Sequence, residues 1–141
     1  LAQAGSVEFC ETLKYDYVGL SESSAIHRFL VQAASAAGLR LNSRIEVGGF
    51  EGVCRLVEAG VGIGVVPEAA ATRYAANMQI RIVHLRDEWA LRKLRICVRS
   101  MEQLTLIARD LVEVLIAGVS QFTYDETELS QLLIAPDEPA E

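Results

Sequence analysis

Apolar positions along this chain fall into two alternating rhythms. Ile26, Phe29, Leu30, Ala33 and Ala37 sit three and four apart, the stripe of a helix with one buried face. Phe50, Val53, Cys54 and Val57 repeat the pattern, with Glu51 and Arg55 four apart on the outer side as a helix-supporting pair. Leu104, Ile107, Ala108, Leu111 and Leu115 mark a third helix over about 102–117, with Ser100 as its cap. Between these lie short, β-branched or alternating runs that read as strands: Tyr17–Leu20, Arg44–Val47, Ile63–Val66, Ile80–Leu85 and Leu94–Val98. Strands alternating with helices predict an α/β domain layered around a mixed, mostly parallel sheet.

The punctuation agrees with this order. Ser6-Val7-Glu8-Phe9 opens a short helical turn that runs to about Leu13, and Ser21 through Ser24 lead into the first long helix, which Gly38 ends. Gly49-Phe50 turns a strand into the second helix and Gly60 closes it. Pro67 stops the next strand and opens a short helix over Glu68–Tyr74 as its first residue. Arg86–Arg92, containing Trp89, reads as a loop. After Gly118, Leu129, Leu132 and Leu133 form one face of a short last helix that begins near Asp125 and ends at Pro136 and Pro139.

Length and charge narrow the classes. A chain of 141 residues with 51% apolar residues fits one domain or a little less, with enough length to bury a core. No apolar run approaches the roughly 18 residues of a membrane span. The chain begins at Leu1 with no recognisable secretory signal, which reads as a piece of a longer protein. Six acids after Gly118 account for the whole net charge of -6, so residues 1–118 carry thirteen charges of each sign. A neutral body with an acidic tail offers no footprint for phosphate backbones. Cys10, Cys54 and Cys97 are odd in number and set in apolar surroundings, as reduced core thiols of a cytoplasmic protein would be.

Candidate chemistry is sparse. Gly60, Gly62 and Gly64 have the wrong spacing for a dinucleotide fingerprint, and the turn runs from helix to strand, whereas phosphate binding needs strand to helix. They read as a helix stop and close strand packing. Gly19-Leu20-Ser21-Glu22-Ser23 departs from a nucleophile elbow at Ser23, where the sharp turn needs glycine, and neither His27 nor His84 is tied to Ser21 by a motif. His27, on the outer side of its helix, and His84 have no ligand-spaced neighbours, so no metal is expected. The cluster of Ser21, Ser23 and Ser24 directly follows a strand and opens a helix. Helix capping and anion binding by free N–H groups are both compatible with it.

The ordered set of Tyr15-Asp16-Tyr17-Val18-Gly19-Leu20-Ser21, Gly49-Phe50-Glu51-Gly52-Val53, Leu56-Val57-Glu58-Ala59-Gly60-Val61-Gly62-Ile63 and Val66-Pro67 resembles the effector-binding domain of LysR-type transcriptional regulators. Leu1-Ala2 with Val7-Glu8-Phe9, Leu85, Trp89, Leu94–Val98 and Leu104–Leu115 extend the likeness over about residues 1–117. The resemblance implies a three-layer α/β/α architecture like type II periplasmic binding proteins. It divides the chain into a crossover segment (1–13), effector-binding subdomain II (14–93), a return strand and helix of subdomain I (94–118) and an acidic tail (119–141). It implies a small, anionic effector in a cleft between subdomains, with contacts from Ser21, Ser23, Ser24, Gly49, Phe50, Val66 and Pro67. It implies no catalysis, no cofactor, a cytoplasmic homodimer, and DNA binding only through a helix-turn-helix domain outside this chain. A type II solute-binding protein for a small carboxylate is the alternative.

Overall fold

The computed structural model describes residues 5–93, 96–121 and 128–137. Its elements are β1 (Ser6–Val7), α1 (Phe9–Thr12), β2 (Tyr17–Leu20), α2 (Ala25–Ala36), β3 (Ser43–Val47), α3 (Phe50–Glu58), β4 (Gly64–Pro67), α4 (Glu68–Ala75), β5 (Ile80–Leu85), β6 (Leu91–Lys93), α5 (Leu106–Gln121) and β7 (Glu128–Pro136). One sheet runs β1-β5-β7-β4, and β2 pairs with β3 in parallel. The two join where Val18 N–H donates to the Ile63 carbonyl at 2.8 Å and Ile63 N–H to that of Asp16 at 2.9 Å, a parallel bridge. Every strand in this continuous order is parallel to its fellows except β7, which runs antiparallel to both β4 and β5.

Strand alternation supplies both faces of the sheet with apolar groups. Tyr17, Val65, Val83 and Leu133 point to one side, where Phe9, Leu30 and Ala34 of α1 and α2 cover them. Val18, Val66, Leu132 and Ile134 point to the other, under Val53, Cys54 and Val57 of α3 and Ala71 of α4. The result is helices on both faces of a mostly parallel sheet. Trp89, in a 3-10 turn at Glu88–Ala90, stacks its edge on Phe9 at 5.2 Å and lies 5.0 Å from Phe29, so the loop that carries it closes onto its own body.

Glycines set the approach of α3 to the sheet. Gly60 holds a φ of 73° at the end of the helix, the left-handed stop expected from the sequence. A Cβ on Gly62 would collide with the Asp16 carbonyl oxygen, the acceptor in the bridge between β2 and β4. A Cβ on Gly64 would lie 2.6 Å from Val53 Cγ1, so the missing side chain is what lets α3 sit this close. These contacts account for the glycine run without a nucleotide.

The structure corrects several expectations. Residues 128–136 form a strand, where the sequence pattern indicated a helix carrying Leu129, Leu132 and Leu133; the start of that helix near Asp125 and its stop at Pro139 lie outside the described residues. The strand wins because a slot between β4 and β5 offers it a ladder on both sides, and Leu132, Leu133, Ile134 and Ala135 are buried there. The expected strand at Leu94–Val98 is absent over 96–98, where Ile96 and Val98 are exposed and pair with no strand among the described residues; Leu94 and Arg95 lie outside the described residues. Thr105, not Ser100, caps the last helix, accepting the Ala108 N–H at 3.3 Å, while Ser100 Oγ serves a turn at Glu102. Arg55 pairs with Glu58 at 3.3 Å and not with Glu51. The loop after Arg86 contains β6, paired with β7. Cys54 is buried, but Cys10 and Cys97 are exposed thiols.

Buried ionisable groups mark the core. Burial pushes the Cys54 thiol up to about 11. Burial also holds the Tyr17 phenol above its ordinary range, although its hydroxyl hydrogen-bonds to Thr12 Oγ1. Both groups fold neutral, so their contribution is intact below the ordinary thiol value of about 8.5 and is lost as pH climbs from there toward the folded values. Urea midpoints should stay level from about pH 7 to 8.5 and fall steadily toward pH 11, the first part of the fall disappearing in Cys54→Ala. Leu133, 0% exposed between Val65 and Val83, gives the second prediction: Leu133→Ala should cost about 2–5 kcal/mol by urea unfolding, because the cavity sits at the centre of the sheet.

Candidate functional site

Because β2, β3 and β4 are parallel and adjacent, their carboxyl ends reach one edge of the sheet. Ser21–Ser24 follow β2, Gly48-Gly49 follow β3, and Pro67 ends β4. This edge is where open α/β sheets place ligands. The expected contacts Ser21, Ser23, Gly49, Phe50 and Pro67 thus share one edge, and Ser21, Ser23 and Gly49 are exposed. Val66 does not join them: it is 0% exposed in β4, opposite Leu132, and its side chain belongs to the core beneath α3. Phe50 is half-buried against that same core, so only part of its ring faces outward.

The serine loop is tightly organised. Ser24 N–H donates to the Ser21 carbonyl at 2.8 Å, forming a turn. Ser24 is the N-cap of α2, its Oγ accepting the His27 N–H at 3.1 Å. Ser21 Oγ and Ser23 Oγ are 3.1 Å apart, and Arg28 Nη1 donates to the Ser23 carbonyl at 2.7 Å. Capping therefore occupies Ser24, while the hydroxyls of Ser21 and Ser23 engage each other at the surface. The first-turn amides of Ala25 and Ile26 have no intrahelical acceptor, since an α-helix leaves its first amides unpaired. With the positive end of the helix they favour an anion at this edge.

Two residues that sequence reasoning did not assign to the site stand beside this loop. Glu46 of β3 lies in register with Gly19 of β2, and its Oε2 accepts the Glu22 N–H at 3.1 Å. Its Oε1 faces Nδ1 of His27 at 3.8 Å. His27 is buried, not on the outer side of its helix as expected, because the buried face of α2 runs through His27, Leu30 and Ala34, one step round from the Ile26–Ala33 line. Its Nδ1 has no hydrogen-bond partner. The spacing 27-30-34 was legible, but a histidine on an otherwise apolar line gave no reason to choose that line. Glu46 had no sequence signal beyond its place in a strand.

A cleft of about 360 Å³ lined by Cys10, Glu11, Leu13, Lys14, Leu39 and Arg40 lies at the other edge of the sheet, where β2 and β3 begin. Partial desolvation and the adjacent Glu8 carboxylate raise the Cys10 thiol above its ordinary range, the reverse of what a nucleophilic thiol needs. Among the described residues no group of three His, Cys, Asp or Glu side chains could hold a metal ion.

A layered α/β body with organised loops at the carboxyl edge of parallel strands has the build of a ligand-binding domain. The chain belongs to the family of substrate-binding domains of LysR-type regulators: the family model for the LysR substrate binding domain matches residues 1–120. No curated protein and no solved structure matches it. β7 lies beyond the matched residues.

Capping separates the three serines energetically. Ser24→Ala should lower stability by about 0.5–2 kcal/mol in urea unfolding, through loss of the cap on His27 N–H. Ser21→Ala, which removes only a surface hydroxyl contact, should stay within about 0.5 kcal/mol of the parent.

Proposed function

We propose that this chain is the effector-sensing part of a LysR-type transcriptional regulator, binding a small anionic molecule at the Ser21–Ser24 and Gly49-Phe50 edge. The carrying observation is that two helix starts, α2 and α3, open side by side at the carboxyl ends of adjacent parallel strands. On this reading residues 14–93 are the second of two type II binding-protein-like subdomains, and the edge is one wall of the cleft between them. Ser21, Ser23, Gly49 and Phe50 meet the effector through backbone N–H groups, hydroxyls and part of one aromatic face, and Pro67 borders them. Effector binding controls DNA binding by a helix-turn-helix domain in the cytoplasmic full-length protein. The chain itself catalyses nothing.

The homodimer belongs to the same proposal. Ile107, Leu111, Val114 and Leu115 of α5 are between 47% and 83% exposed on one side of that helix. Leaving such a stripe in water forgoes roughly 1.5–3 kcal/mol per large side chain, which pairing between copies recovers.

Three measurements test the proposal. Titration with benzoate or acetate should move the backbone amide signals of Ser21–Ala25 and Gly49-Phe50 in NMR spectra; movement at Gly60–Gly64 instead sinks the site. The isolated chain should show no salt-sensitive retention of duplex DNA, given the charge balance of residues 1–118. Light scattering at micromolar concentration should give a dimer that Leu111→Asp converts to monomer, and a wild-type monomer refutes pairing.

A further inference from the structure

The anion-favouring end of α2 already has a carboxylate beside it. Glu46 Oε2 accepts the Glu22 N–H, and its other oxygen stands 3.8 Å from His27 Nδ1, outside hydrogen-bonding distance. That nitrogen is shut away from solvent, its side chain only 10% exposed, and it has no hydrogen-bond partner among the described residues. Such an orphan in α2, beside the loop, points to a second arrangement of its neighbours. Among the described residues, His27 faces Gly19 of β2, where an added Cβ would lie 3.9 Å from Nδ1, Glu46 of β3, and the Ser24 cap. Glu22 is exposed on the loop, and Arg28, one residue on, turns its guanidinium to the Ser23 carbonyl.

We infer that Glu46 is a two-position latch on the effector site, bonded to the Glu22 amide when the site is empty and to His27 when an anion takes that amide. This rests on reading the start of α2 as the effector site. An incoming carboxylate and Glu46 cannot share the Glu22 amide without like-charge repulsion. Displaced Glu46 moves less than 2 Å to meet Nδ1, closing the 3.8 Å gap to an ordinary charge-assisted bond of about 2.7–2.9 Å. The balance is one anion and one proton taken up: the proton goes to His27, which becomes imidazolium and donates Nδ1–H to Glu46. The site therefore accepts a monoanion with no net change of charge. Affinity should rise as pH falls, because binding takes up a proton.

Calorimetry of benzoate binding to the whole chain tests this. Runs at one pH in buffers of different ionisation enthalpy count the protons taken up, while NMR amide signals report occupancy of the α2 start. The expected result is net proton uptake on binding in the wild type and in His84→Gln, which removes the exposed histidine of β5. Glu46→Gln, which keeps an acceptor for the Glu22 amide, should bind benzoate with little pH dependence and no proton uptake. If Glu46→Gln does not fold, His27→Gln must show the same loss. Movement of the Ser21–Ala25 amides without proton uptake, or unchanged uptake in Glu46→Gln, overturns the latch and leaves the effector site standing. Amides that ignore benzoate, acetate and sulfate alike overturn both.

Discussion

The fold depends on filling the slot between β4 and β5. Those strands are parallel to each other and touch β7, not one another. An empty slot would leave two rows of buried N–H and C=O groups without partners, which interiors do not tolerate. β7 satisfies both rows and at the same time sends Leu133 to one helical layer and Leu132 and Ile134 to the other. This segment comes last in the described chain, so its pairing with residues 64–67 and 80–84 closes long loops. Assembly of the sheet centre therefore rests on non-local contacts, the kind that slow folding.

That central strand governs the site at one remove. β7 fixes β4 through the pairs Gly64–Ile134 to Pro67–Gln131, and the tight fit of Gly62 against Asp16 fixes β4 to β2. β2 in turn sets β3 in the register Gly19–Glu46. Glu46 reaches the Glu22 amide only in that register. A slip of one residue would turn its side chain to the opposite face of the sheet and bring Ile45 or Val47 to the loop. The electrostatics of the serine loop are thus a consequence of strand pairing several residues away.

Most of the α/β order was legible because it is written in local periodicity and in capping residues. The faces of α3, the stops at Gly38 and Gly60, and the strand at Ile80–Leu85 follow from spacing alone. The segments that went astray are those decided by partners distant in sequence. Leu129-Leu132-Leu133 fits a helical spacing as well as a strand, and only the vacant ladder between β4 and β5 chooses between them. Ile96 and Val98 alternate as a strand does, yet they pair with no strand among the described residues, and alternation without pairing makes no strand. In the site, the edge occupied by Ser21, Ser23 and Gly49 could be read from element order. Val66 could not be separated from Pro67, because burial beneath α3 depends on Gly64 and Val53 meeting across the core. His27 and Glu46 were invisible for the same reason: their proximity comes from register, and neither residue type is unusual where it stands.

The charge around the serine loop bears on how such an edge can attract an anion at all. Glu22 and Glu46 outnumber Arg28 there, and Arg28 is committed to the Ser23 carbonyl. Residues 1–118 are neutral overall, so no long-range field steers a negative ligand in. On the proposed reading, attraction comes from directed N–H groups and the end of α2, whose effect fades within about a turn of the helix. The proposed binding is short-ranged and geometric: on that reading it favours a compact monoanion that matches the loop over a highly charged one that would meet two carboxylates. The cap at Ser24 and the turn from Ser21 fix the backbone of the loop, so its N–H groups need little further ordering in the proposed complex, where the rearrangement falls on the Glu46 side chain.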